Sequence, residues 1–240
     1  MALVELLGFS EHGWGPTLLQ AAGMTLVLTA VALLIGAVAG ALVAMAKLSS
    51  RRALRWLGEL YSVLFRGIPE LLVIYLFYFG GATMVSAVAH WFGGGGYIDV
   101  PPFAVGALAV GLISGSYQAE VYRGAYLAVP KGELEAASAI GMPPALRLRR
   151  VLIPQVLRFA LPGLGNVWQM SLKDSALISV IGLVELMRAS QVAAGSTRQY
   201  FTFYIVGGLG YLALTWLSGR VFAAAEARVR RTRRTNAMHS

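Results

Sequence analysis

Cysteine is absent from this 240-residue chain, which rules out disulfides, thiolate nucleophiles and cysteine-based metal sites. Charge is scarce as well: Asp, Glu, Lys and Arg make up only 13% of the residues, against about 25% in an ordinary soluble domain. The three histidines, His12, His90 and His239, lie far apart and offer no metal-ligand spacing. No Gly-x-x-x-x-Gly-Lys-Ser/Thr phosphate loop and no nucleophile–base pair stand out, so neither catalysis nor a cofactor or metal is expected of this polypeptide. Lys and Arg are missing from Met1 to Gly15, which carries Glu5 and Glu11. Without a basic n-region, the first apolar run is expected to stay in the membrane and not to be cleaved as a signal.

What remains is apolar. Hydrophobic residues make up 57% of the chain and the mean hydropathy is +0.66. So apolar a surface is covered by lipid, because water would not solvate it, and the expectation is an all-α integral membrane protein. A spanning helix needs about 20 largely apolar residues. Five segments meet that need, near Pro16–Ala46, Ile68–Ala89, Pro101–Leu127, Phe159–Val184 and Tyr200–Ala223. Between the second and third, Trp91 to Tyr97 reads as a short external turn with interfacial aromatic residues at both ends.

The basic residues orient these spans. Lys47, Arg51, Arg52 and Arg55 follow the first; Arg123, Lys131, Arg147, Arg149, Arg150 and Arg158 surround the connection from third to fourth. Arg220, Arg228, Arg230, Arg231, Arg233 and Arg234 follow the fifth. By the positive-inside rule the N-terminus is expected outside and the C-terminus in the cytoplasm. The net charge of +9 is thus a topology signal and not a nucleic-acid footprint. The expected organisation is an external segment (1–15), a transmembrane domain (16–225) and a solvated, loosely ordered basic tail (226–240). Gly36/Gly40 and Gly111/Gly115 are Gly-x-x-x-Gly pairs that read as close helix packing within the chain.

The basic connection at about 130–154 is itself patterned as a helix. Ala136, Ala137, Ile140 and Gly141 form a small apolar stripe, Glu135 sits near its start, and Gly141 with Pro143-Pro144 ends it. By itself this could be an amphipathic helix resting on lipid headgroups. The spacing of Glu135-Ala136-Ala137, Gly141 and Val151-Leu152-Ile153-Pro154, however, resembles the EAA loop of the membrane subunits of bacterial ATP-driven (ABC-type) importers. Val151 and Ile153 stand where that loop usually has Ile and Leu. Phe65-Arg66-Gly67-Ile68-Pro69, Glu120-Val121-Tyr122-Arg123-Gly124 and Val129-Pro130-Lys131-Gly132 extend the likeness. So do Leu161-Pro162-Gly163-Leu164-Gly165-Asn166 and Leu172-Lys173-Asp174-Ser175-Ala176-Leu177. With them it covers nearly all of 16–225 and is similar to the polar amino acid permeases, nearest the group for histidine, arginine, lysine, ornithine or opines.

The resemblance implies a type I importer fold in which Glu135, Ala136, Ala137, Gly141 and Pro154 belong to the element that docks on the ATPase. It implies two ATPase copies, a second permease subunit, identical or homologous with a heterodimer favoured, and a periplasmic or tethered substrate-binding protein. ATP hydrolysis then occurs on another polypeptide.

Polar groups at membrane depth cost roughly 2.5–3.5 kcal/mol on insertion scales and usually face a pathway or a partner. Asn166, Gln169 and Lys173 fall within about 60° of one another on a helix. Ser116, Glu120 and Arg123 share one face of the third span, with Ser114, Tyr117 and Gln118 on another. Glu70, Gln118, Glu120, Asn166, Gln169, Lys173 and Asp174 are therefore candidates for the substrate pathway. The structural alternative makes Glu120–Arg123 an i,i+3 ion pair, gives Lys173 an acidic partner elsewhere, and pairs Glu70 with Arg66 at i−4. Relatives with cationic substrates often carry an acid at the Glu70 position, which the resemblance reads as a site for the cation. A secondary transporter would use Glu70, Glu120 and Asp174 as an ion relay, but it typically has more spans or an inverted repeat. A scaffold without transport would leave the polar stripes idle.

Overall fold

The computed structural model describes residues 6–9, 13–91, 96 and 99–237, with side chains described to residue 229. The described residues are helical without a strand. Helix α1 runs Gly15–Leu48, α2 Arg52–Gly67 and α3 Glu70–Trp91. Helix α4 spans Pro102–Leu127 and the short α5 Lys131–Ala139. Helix α6, Ile153–Asp174, is entered through a turn at Pro144–Arg147 and a π-helical stretch at Leu148–Leu152, and it continues as 3-10 helix through Ser175–Ile181. Helix α7 is Leu186–Thr197 and α8 is Tyr200–Ala237.

Among the described residues, α1, α3 and α8 are long and apolar enough to cross a membrane, and the bent pair Pro144–Ile181 plus Leu186–Thr197 makes a fourth crossing if counted as one span. Helix α4 is long enough but is the hub of the bundle: 13 of its 26 residues are buried. Its Ser114, Ser116 and Gln118 are 2% exposed or less, and they face protein in place of lipid.

The α1–α4 seam explains the glycine pairs. A methyl group added at Gly40 would lie 2.8 Å from the Gly115 carbonyl oxygen, and one at Gly111 would lie 2.8 Å from Ile35. The two pairs face each other within one chain, as expected from packing. A core of Leu28, Ala32, Ile74, Val105, Val110 and Ile178 fills the region where α1, α3, α4 and the 3-10 segment converge.

Three features depart from the sequence reading. Arg52–Gly67, expected to be a basic connection, is an amphipathic helix that packs on α1 and α4; its Tyr61 hydroxyl donates to the Leu112 carbonyl oxygen at 2.7 Å. Gly58 permits this, since an added methyl would lie 2.8 Å from the Lys47 side chain. The basic tail is not loosely ordered either: its backbone remains helical to Ala237, because Ala, Glu and Arg favour continuation of α8. Finally, the chain before α1 folds back, with Trp14 N–H donating to the Leu6 carbonyl at 2.9 Å and Leu6 buried beside Phe203. Most of the expected turn at Trp91–Tyr97 lies outside the described residues, as do His12 and His239.

Candidate functional site

Two helices are interrupted at the same place. Between α2 and α3, Ile68 and Pro69 are extended, and Glu70 opens α3 in its first turn. After α6, the 3-10 turn over Ser175–Ile181 ends at Gly182 with φ +94°, and the chain bends by 49° into α7. Such breaks leave backbone groups free and are tolerated at membrane depth only inside protein or along a cavity. Here Glu70 and Asp174 lie close enough to interact electrostatically, with Lys173 also within range of Asp174. An open cavity of about 470 Å³ lies next to the break, lined by Arg66, Gly67, Ile68, Pro69, Glu70, Leu71 and Leu177. Two carboxyl groups held together repel when both are ionised, and a cation placed between them removes that repulsion.

The local partner expected for Glu70 is engaged elsewhere. Arg66 stacks over Tyr117, 5.3 Å from guanidinium carbon to ring centroid, and no Arg66–Glu70 ion pair occurs within 4 Å among the described residues. Lys173 is exposed and borders a second cavity with Met187, Tyr204 and Tyr211. It has no salt bridge among the described residues. Asn166 and Gln169 sit lower on α6, where they line a groove against Gly219 and Glu226 of α8. The polar stripe on α6 is thus real but serves two different hollows.

Two expected pathway residues are occupied by structure. Gln118 is 1% exposed; its amide donates to the Leu33 carbonyl at 3.2 Å and accepts from the Tyr122 hydroxyl at 2.9 Å, so it belongs to the α1–α4 seam and not to an open pathway. Glu120 is bound by Arg123 at 3.0 Å, the i,i+3 pair anticipated as its structural role. It also binds Lys47, which in turn pairs with Glu59 of α2 at 3.0 Å. Sequence reasoning missed Lys47, whose side chain is 1% exposed. The available signal was a lone lysine ending an uncharged run, with Glu59 and Glu120 as the acids able to reach it.

On the opposite side of this network lies α5. Pro130 precedes it, and the acid in its first turn is Glu133; Glu135 falls one turn later and borders a cavity of about 450 Å³ with Lys131, Ser138 and Arg147. Gly141, at φ +77°, terminates the helix: its N–H donates to the Ser138 carbonyl and that of Met142 to the Ala137 carbonyl, the paired bonds of a glycine C-cap. Arg147 donates to Ser138 and Gln155 to Glu133, so α5 is fixed to the foot of α6. Pro154 stands in the first turn of α6, where its missing N–H costs nothing. The expected apolar stripe divides. Ala137 is buried against its own chain at 6% exposure, whereas Ala136 is exposed and Ile140 projects at 78%.

A hub helix sheathed by apolar spans, two interrupted helices beside open hollows, and a surface helix with a protruding isoleucine fit a membrane permease. The chain belongs to the family of binding-protein-dependent transport system inner membrane components, whose model matches residues 32–231. It is similar to the octopine transport system permease protein OccQ of Rhizobium meliloti, at 52% identity over 95% of this chain and 96% of that protein. The histidine/lysine/arginine/ornithine permease HisQ of Escherichia coli (strain K12) is 38% identical over 90% of this chain and 95% of that protein. Among solved structures, an amino acid ABC transporter with histidines matches with a TM-score of 0.74 at 33% identity, covering 90% of this chain and 95% of that one. An inward-facing methionine transporter, MetNI, has a TM-score of 0.68 at 19% identity, with coverage of 89% and 96%, and shares the fold. The type I ABC importer permease fold and a multi-pass place in the inner membrane follow from these matches.

Proposed function

We propose that this permease conducts cationic amino acids or opines, and that the paired carboxyls of Glu70 and Asp174 receive the cationic end of the substrate. The observation carrying this reading is their meeting where two helices break, beside a cavity and without a fixed arginine partner. The names of the OccQ and HisQ relatives support the same substrate class. Lys173 and, further along α6, Asn166 and Gln169 continue the polar route.

The rest of the machine follows the same reading. The chain makes five crossings, with α4 as the shielded fifth, N-terminus outside and C-terminus in the cytoplasm. It occupies the transmembrane domain of 16–225, flanked by the external segment and the basic tail. The α5 elbow, through Ala136, Ile140 and the Gly141 turn, fits a groove on an ATPase subunit. Two ATPase copies, a second permease and a substrate-binding protein complete the assembly, and the chain itself hydrolyses nothing.

Reconstitution of the assembled complex in vesicles tests this. Glu70→Gln should lower uptake of arginine or octopine while ATP-dependent assembly persists. Unchanged kinetics for both substrates would remove Glu70 from the route. Crosslinks from a cysteine at Ile140 should reach the ATPase; their absence in intact cells would sink the docking assignment.

A further inference from the structure

Glu185 is 0% exposed, lies at the bend between the 3-10 segment and α7, and forms no ion pair among the described residues. Its carboxyl group faces four donors: the Met187 N–H at 2.9 Å, the Arg188 N–H at 2.8 Å, the Tyr211 hydroxyl at 2.5 Å and, at the longer distance of 3.5 Å, the Thr25 hydroxyl. The Leu186 N–H donates to Thr25 Oγ1 at 3.2 Å, and that hydroxyl donates to the Ala21 carbonyl of α1. The opening N–H groups of α7 are thereby satisfied by Glu185 and Thr25 together. The Tyr211 side chain also lies near Ser175, the residue after Asp174; the Ser175 hydroxyl itself donates to the Leu172 carbonyl at 2.7 Å. One buried cluster therefore joins α1, the bend, α7 and α8, and reaches the residue beside the paired carboxyls.

Its place in the bundle gives it a use. Helix α7 packs through Leu186, Ala189 and Ala193 on Leu18 and Ala21, at the start of α1. The far end of α1 carries Lys47 and meets Glu120, near the end of α4 that leads into α5. So α7 closes the end of the bundle away from the docking elbow, and Glu185 is the point on which its angle depends. A charge-assisted cluster in a dry setting holds one arrangement firmly, and losing one member releases it.

We infer that Glu185, with Tyr211 and Thr25, is a positioning unit that fixes α7 as the outer gate and links that gate through Ser175 to Asp174. The link to Asp174 rests on the proposed substrate route; the gate itself does not. The loss of one charge-assisted hydrogen bond shifts an equilibrium by roughly tenfold or more. Glu185→Gln should cut binding-protein-stimulated transport by about that factor, while the purified complex assembles and hydrolyses ATP at its basal rate. Spin labels at Leu19 and Val192, both exposed, should report a broadened distance distribution at the α7 end in that variant. Labels at the α5 end should not change. Unchanged transport, or an unchanged Leu19–Val192 distribution, would overturn the gate. Parallel loss of assembly, basal hydrolysis and transport in Thr25→Val, Tyr211→Phe and Glu185→Gln alike would reduce the cluster to a folding role and overturn it too. A broadened gate with normal response to Asp174→Asn would overturn only the link to the substrate route.

Discussion

The α1–α4 seam and the α3–α6 junction are built from opposite materials. In the seam, glycine faces glycine, Gln118 spends its amide on Leu33 and Tyr122, and Lys47 binds Glu59 and Glu120. At the junction both helices are interrupted, hollows remain, Arg66 is stacked away on a ring and Lys173 lacks a salt bridge among the described residues. The lesson is that polarity inside a membrane protein does not by itself mark a route. Where every polar group has a fixed partner, the chain has made a rigid post. Where carboxyls and an ammonium border open space, the groups are not fixed in that way, which is why the proposed route runs there.

That contrast can be broken from either side. The largest effect should come from Gly40→Leu, which forces side-chain atoms into the Gly115 backbone; overpacking of this kind costs about 1–3 kcal/mol or more. It should lower the thermal midpoint and yield of the detergent-purified complex, and a normal melting curve would show that the seam is looser than described. Lys47→Met should follow, at about 2 kcal/mol, because it strands Glu120 with Arg123 alone. Charge restoration by Glu120→Gln in the same protein should recover part of that loss, measured as a double-mutant cycle.

Next, Asp174→Asn at the junction should leave the melting curve in place yet lower arginine uptake by roughly tenfold, equivalent to about 1.4 kcal/mol. A variant that melts early and transports normally would reverse the roles assigned to the two regions. The smallest effect should be that of Tyr117→Leu, which frees Arg66 from its aromatic platform at a cost of about 0.5–1 kcal/mol. If Arg66 then turns to Glu70, uptake should fall with little change in stability, readable as a raised KM.

Much of this was legible from local pattern. Runs without charge marked α1, α3 and α8 as apolar spans, Gly141 before two prolines marked the end of α5, and the i,i+3 spacing marked Glu120–Arg123, because each depends on neighbours a few residues away. The α2 helix was not legible: Arg51, Arg52 and Arg55 registered only as charges that orient the spans, while Gly58 and Ser62, which seat it on the bundle, are ordinary in isolation. Ala137 and Ile140 share one stripe in sequence, yet one faces inward and the other outward, a division set by the foot of α6. Gln118 fell among the pathway candidates for the same reason, since its partners come from α1 and from the next turn.

By itself the sequence determined the solvent of this protein and the position of its elbow, since hydropathy and helix-stop residues act over short stretches of chain. Only the tertiary structure decided which polar groups are spent and which are free. That distinction depends on partners such as Lys47 for Glu120, Asp174 for Glu70 and Tyr211 for Glu185, and these are brought together by packing across long separations.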